Sequence, residues 1–553
     1  MNEPRVVTDE ADVIDLVGAI GEGDGNGVVD GAPSLRVPVE VRVSVDDPFL
    51  AYRRARDGSG GAFLETTGGQ SGWGYFGVDP IERVTVGADA ELRPFESAAQ
   101  HPANAGESGA TIDTPETNSP TLAALEGLLE TATLVRGGCD VPYPCGVLGW
   151  LSYDVAKELE SLAGSAVDDR GLPRLEVGLF DRLAAWECPV DDGSVTLRVT
   201  ACPRIDPEEL LEDDGLVDDW EAVATATYER GRERALELAR AVIEGDPAVG
   251  SPAVADPDAA FESACGREAF ADRVRRVKEY VRDGDTFQAN ISQRLVAPAA
   301  VHPVAAYDAL REVNPAPYSC LFEGRAADLV SASPELLLER DGDFVRTEPI
   351  AGTRPRGDTN AEDAALEADL LGDEKERAEH AMLVDLERND FGKICAYGSV
   401  DVSEYRRVDR YSEVMHLVSN VTGRLRSDAS LADAIAATFP GGTITGAPKP
   451  RTMEIIDELE DTRRGPYTGG VGIFGFDGRA TINIIIRTLV RHDDEYHLRV
   501  GAGIVHDSDP YREYVETLAK AQALLNAIDA ALGERAGMAL EAGTGAERGE
   551  DDD

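Results

Sequence analysis

Carboxylates recur at helical spacing in two well-separated segments of this 553-residue chain. In LGDEKERAEHAMLVDLERND, Glu376, Glu379, Leu383 and Leu386 follow an i, i+3, i+7, i+10 period and share one helix face. In EYVETLAKAQALL, Glu513 and Glu516 repeat the pair, with Lys520 and Leu524 on the same side. Two acids on an inward face are costly unless a cation meets them. They also suit the first turn of a solvated helix, where the macrodipole favours negative charge. Two such pairs from separate helices could meet around a divalent ion, and an all-oxygen donor set favours Mg²⁺.

Other segments carry the opposite polarity. GGVGIFGF-DG-RATINIIIRTLV reads as a hairpin turning at Asp477-Gly478, with Asn483, Ile485 and Arg487 facing one way. An arginine among isoleucines calls for a buried anion. YHLRVGAGIV ends in Gly501-Ala502-Gly503, small enough for backbone N–H groups to approach a carboxylate. TEPIAGTRPRG follows the strand-like FVRT and offers Gly352, Thr353 and two arginines, with the inert Ala351 at its centre. TFPGGTITGAPKPR has Pro448 where a phosphate loop needs glycine. It reads instead as a turn offering Thr443 and backbone N–H groups to another anion. Together these groups suit a small substrate with several carboxylates, one of them neutralised by Mg²⁺.

The elements that must position them lie in a long, acidic chain. The net charge is -51, and only six of the 53 basic residues are lysines. With 42% hydrophobic residues the chain is too apolar for a disordered acidic protein. A folded enzyme with a salt-adapted surface is the expectation, one that repels nucleic acid and anionic membranes. No apolar run approaches 18 residues, and the N-terminus is acidic where a secretory signal is basic, so a cytoplasmic protein is expected. The seven cysteines form no CxxC pair and read as reduced core thiols. The length suggests two to four domains. Residues 1–245 alternate short strands and turns, 246–263 form a linker, 264–535 gather the polar groups, and 536–553 form an acidic, unfolded tail. A second linker-like stretch spans 101–120.

PIAGTRPRG, HAMLVDLERND, VMHLVSNVTG, FPGGTITGAPK, RRGPYTGGVG and GAGIVHDSDPYREYVET occur in this order over residues 268–530. On these six motifs the chain resembles the chorismate-utilising enzymes: anthranilate, aminodeoxychorismate, isochorismate and salicylate synthases. The resemblance implies an α+β fold, antiparallel sheets packed inside with helices outside. It makes 264–535 the chorismate-binding catalytic region and 1–245 the variable N-terminal region. It implies that Glu379 and Glu516 hold Mg²⁺ on the ring carboxylate, supported by Glu376 and Glu513. Glu335, in SASPELLL, becomes the general acid for the departing C4 hydroxyl. Arg487, Lys520, Tyr467 and the Gly503 backbone bind carboxylates, Thr443 and His416 line the ring, and Gly352 and Thr353 face the substrate. The arginines of TRPRG are read as solvated flank.

Gln288, in FQANISQRL, stands where isochorismate-forming relatives carry a water-activating lysine. Glutamine cannot act as a base, so ammonia is the expected nucleophile. No GxCxG elbow is present, which implies a separate glutamine amidotransferase subunit or free ammonium. Asn290, Asn483 and GGTITGAPK look like the aminodeoxychorismate branch, while Ser319 and Thr66 depart from the Met and Ser usual in tryptophan-regulated anthranilate synthases, so a tryptophan feedback site is poorly matched. Ala351 opposes them, because that branch often carries a nucleophilic lysine there. The expectation is therefore aminodeoxychorismate synthase component I, making 4-amino-4-deoxychorismate for p-aminobenzoate. The alternative is anthranilate synthase component I. A catalytically dead scaffold is the remote third reading.

Overall fold

Segments such as GVLGWL and GVGIF are apolar throughout rather than alternating, which requires cover on both faces of a sheet. The computed structural model describes residues 3–533 apart from 22–32, 59, 68–69, 96–118, 163, 191–192, 213–214, 256–259 and 412–413. In it, strands Gly146–Leu151, Leu175–Phe180 and Gly470–Phe474 are buried at every position. The acidic tail and most of the 101–120 stretch lie outside the described residues.

Among the described residues the two large sheets have 13 and 11 strands, built from antiparallel pairs, beside small sheets of three and two strands. Their inner faces pack together: Trp150, Val471 and Ile473 from one meet Tyr75, Leu329 and Val490 from the other. Helices cover the outer faces. Phe49, Leu310, Leu524 and Ile528 pack on Phe63, Phe76, Leu321 and Val500. Leu125, Val384, Phe391 and Ile435 pack on Val147, Val177 and Ile482. The order is helix, sheet, sheet, helix, the expected α+β fold.

Sequence position 245 is no break in these sheets. Gly61–Glu65 pairs with Tyr318–Glu323, and Gly146–Leu151 pairs with Gly470–Phe474. The cysteines are free thiols, five of them buried.

Two helix starts matter for the site. Asp373 caps the helix Glu374–Ile394, its carboxylate accepting from Lys375 N and Glu376 N. Asp509 caps Pro510–Leu532 in the same way, with proline at the first position. Each cap places its glutamate pair in the opening turns of its helix.

Candidate active site

Glu335 sits between strands Asp328–Ser333 and Leu336–Asp341, fully enclosed. The Thr443 hydroxyl donates to its Oε1 at 2.5 Å. Burial pushes the Glu335 carboxyl up to about 8; Thr443 and Arg487 pull it down, and the Glu387 charge adds to the rise. It is therefore a protonated acid at neutral pH. Thr443 itself stands on a single tight turn, Gly442–Ile444. Lys449 holds that turn by donating to Asp390 Oδ2 and Thr438 O, so the lysine of GAPK clamps the loop to a helix.

Arg487 lies past the end of strand Ala480–Ile484, with φ +49°. This break corrects the expected common face. Ile485 packs between the sheets, Asn483 lines a different cavity, and Arg487 turns into a small space with Tyr411, His416 and Pro334. Its side chain makes no hydrogen bond or ion pair among the described residues, and burial lowers its basicity. A half-buried, unpaired guanidinium is a ready seat for a carboxylate.

His416 and Thr353 are register partners on adjacent strands, Val414–Arg424 and Ile350–Pro355. His416 Nδ1 lies 3.1 Å from Gly352 O and 3.0 Å from Thr353 Oγ1. A carbonyl can only accept, so Nδ1 carries the proton and Nε2 is left as an acceptor. Burial, with help from Arg487, pushes this imidazole down to about 4, so it is neutral. Gly352 has φ +67°, and a Cβ there would lie 3.0 Å from Glu376 Oε2. The strand thus runs directly beside the helix start. Ala351, buried, precedes it. Arg354 and Arg356 are not solvated flank: Arg354 pairs with Asp369 and Asp373, and Arg356 with Asp363.

Gln288 stands beside the first glutamate pair. Gln288 Nε2 donates to Glu379 Oε1 at 3.2 Å, and a Cβ on Gly503 would meet that same nitrogen at 2.2 Å. Lys520 pairs with Glu516 at 2.9 Å and donates to Gly501 O at 3.0 Å. Burial raises Glu376, then the charges of Glu379 and Asp373 raise it further. Burial raises Glu513 too, with Glu516 adding repulsion. Lys375 acts on both Glu376 and Glu513, so the two helix starts share one electrostatic neighbourhood. Among the described residues no three acids, histidines or cysteines already form a metal cage. Tyr467 is buried, with its ring 5.5 Å from the Arg464 guanidinium, and its hydroxyl would lie 2.8 Å from a Cβ on Gly501.

Two residues of the site escaped the sequence reading. Glu387 is buried beside the Thr443 turn and accepts from Gly442 N at 3.4 Å. Burial and Asp390 push it up to about 7. It lies eleven residues after Glu376, so extending the helical period by one position would have found it. Tyr411, 5.6 Å from the His416 ring, carries no sequence signal of its own.

A cavity of about 570 Å³ lies between the sheets and shares Tyr411 and Pro334 with the space around Arg487. Thr66, Ser319 and Asn483 line it. Three positions weighed for the choice of product thus surround a space that none of Glu335, Thr443, His416 and Arg487 lines.

A model of the chorismate binding enzymes matches residues 64–526. The chain belongs to the chorismate-binding enzymes. It is 65% identical over 512 residues to anthranilate synthase component 1 1 of Haloarcula marismortui, covering 93% of this chain and 96% of that protein. Aminodeoxychorismate synthase component 1 of Bacillus subtilis is 40% identical over 385 residues, 69% of this chain and 77% of its own. The crystal structure of anthranilate synthase component I from Streptococcus pneumoniae superposes with a TM-score of 0.64 at 29% identity, covering 82% and 92% of the two chains. The expectation of an aminodeoxychorismate synthase is overturned by this ranking of relatives. The physical reason is that Thr66, Ser319 and Asn483 line the cavity between the sheets, whereas Ala351 lies in the strand that carries Gly352 and Thr353. No helix among the described residues is long and apolar enough to cross a membrane.

Proposed function

We propose that the chain is an anthranilate synthase component 1: chorismate and ammonia become anthranilate, pyruvate and water. The observation that carries this reading is Ala351. It stands immediately before Gly352 and Thr353 in the strand at the reaction centre, and it cannot form a covalent adduct with the ring. The high identity to an anthranilate synthase along nearly the whole chain supports it.

In this reading ammonia adds at C2 and the ring double bond shifts. The C4–O bond breaks, and water leaves with the Glu335 proton. Thr443 holds that carboxyl in place. His416, neutral with Nε2 as acceptor, takes the C2 proton as the enolpyruvyl C–O bond breaks and pyruvate departs. Arg487 seats one carboxylate of the substrate; Tyr467, Lys520 and the Gly503 backbone seat the other.

The donor set fits Mg²⁺: four carboxylate side chains from two helix starts, two of them raised by burial and then by the charge of the neighbouring glutamate, which a cation would offset. Glu379 and Glu516 would hold the ion, with Glu376 and Glu513 beside them. When bound it neutralises the ring carboxylate of the substrate. A glutamine amidotransferase subunit would supply ammonia, since the chain has no nucleophile elbow of its own.

The test is a product assay. Purified protein with chorismate, Mg²⁺ and ammonium at high salt should release pyruvate and fluorescent anthranilate in equal amounts. An aminated product that keeps its enolpyruvyl group, with no pyruvate, would sink the proposal.

A further inference from the structure

Behind the Gly501–Gly503 segment, strands Gln288–Pro298 and Glu495–Ile504 place Arg294 directly opposite Arg499. Like charges facing each other across an antiparallel pair repel. Both side chains are also buried, 12% and 6% exposed. His497, two residues before Arg499, shares their face. Arg170, Arg464 and Tyr467 close the same small cavity.

Two carboxylates bond to these four arginines. Glu460 accepts from Arg464 and Arg499, and Asp169 accepts from Arg294 with Arg170 at 3.8 Å. Asp154 acts on Arg170 from farther away and has Lys157 as its own neighbour. Positive charge is in excess. Burial, then Arg499 and Arg294, push Arg170 down to about 10. Burial, then Arg170 and Arg294, push His497 down to about 3, so its ring adds no charge.

The donors are left over as well. Arg294 Nε and Nη1 and Arg499 Nε are buried and find no partner among the described residues. Buried N–H groups without acceptors are rare and costly. The space between these side chains, about 10 Å³, admits one small particle. A carboxylate or phosphate is too large for it. A water molecule would satisfy two of the donors and leave the charge excess untouched. A small anion accepts from all of them and offsets the charge.

We propose that this cavity is a buried halide site, chloride being the natural occupant, held by Arg294 and Arg499 between the two strands. It sits two residues behind Gly501, whose carbonyl receives Lys520. The anion therefore sets the spacing of the two strands whose ends carry Gln288 and Gly501–Gly503.

Bromide tests this directly. Crystals grown with bromide replacing chloride should show an anomalous peak in contact with Arg294 Nη1 and Arg499 Nε. Density there without anomalous signal, in fully exchanged crystals, would mean water and overturn the proposal. In solution, the thermal midpoint should be higher in potassium chloride than in potassium gluconate of equal ionic strength, since gluconate cannot enter. Arg294→Met should lose that difference. A difference that survives the substitution, or none in the wild type, overturns the proposal. If Arg294→Met does not fold, the bromide crystals decide alone.

Discussion

At the scale of single residues, Glu335 is the group on which the chemistry turns, and its burial makes its behaviour predictable. Glu335→Gln should lower kcat by about 10²–10⁴, the usual weight of a general acid. The wild-type rate should fall as pH rises through about 8, where Glu335 loses its proton. The same shift has a sign for stability. A carboxyl raised from 4.5 to about 8 favours the folded state at low pH, and that contribution is lost as pH rises through this window. Glu335→Gln should therefore melt higher than the wild type at alkaline pH. Glu387 offers a subtler check. Its charge helps hold Glu335 up, so Glu387→Gln should move the alkaline limb of the pH–rate profile to lower pH. A limb that stays in place would show that the two carboxyls do not communicate. Most of the site was legible at this scale because an acid or an arginine on an apolar face demands a partner. The product was misread because Ser319, Thr66 and Asn483 were counted as evidence without knowing which space they line. Composition and spacing carry no information about that.

At the scale of elements, the site depends on two capped helix starts and one kinked strand. Asp373→Ala removes the cap beneath Glu376 and leaves Arg354 without one of its carboxylate partners, Asp369 remaining. The Mg²⁺ concentration for half-maximal activity should rise about tenfold, as when outer partners of metal ligands are lost. Titrating activity against Mg²⁺ in the variant and wild type measures it; an unchanged midpoint would disconnect the cap from the ion. Both helix periods and the hairpin at Asp477-Gly478 were readable from apolar spacing and turn chemistry. The break after Ile484 was not. NIIIRT alternates like a continuing strand, and only the packing of Ile485 between the sheets reveals why the chain must turn before Arg487. The arginines of TRPRG likewise find partners that the motif itself does not show: Asp363, Asp369 and Asp373, on and just after the next helix, Asn360–Gly372.

At the scale of the whole molecule, the -51 charge and the two-sheet core pull in opposite directions. Reducing salt from 1 M to 0.1 M lengthens electrostatic screening from about 3 to about 10 Å, so surface carboxylates repel farther. The thermal midpoint should fall on that change, and a midpoint indifferent to salt would remove the idea of a salt-adapted surface. The core resists by packing. Phe63 touches five aromatic rings, among them Phe49 at 5.0 Å and Trp186 at 5.3 Å, so Phe63→Ala should cost about 3–5 kcal/mol in chemical denaturation. The helix, sheet, sheet, helix order was expected from family resemblance, while the sharing of both sheets across position 245 was not. Strand pairing between distant segments leaves no local trace. It does leave a mark in time. Val147 hydrogen-bonds alongside Phe474, so the first strand of that pair leaves the ribosome hundreds of residues ahead of its partner. At about 5–20 residues per second the wait is roughly 15–65 s. Throughout it, an apolar strand edge stands open in a growing, strongly anionic chain, whose self-repulsion keeps one nascent copy away from the next.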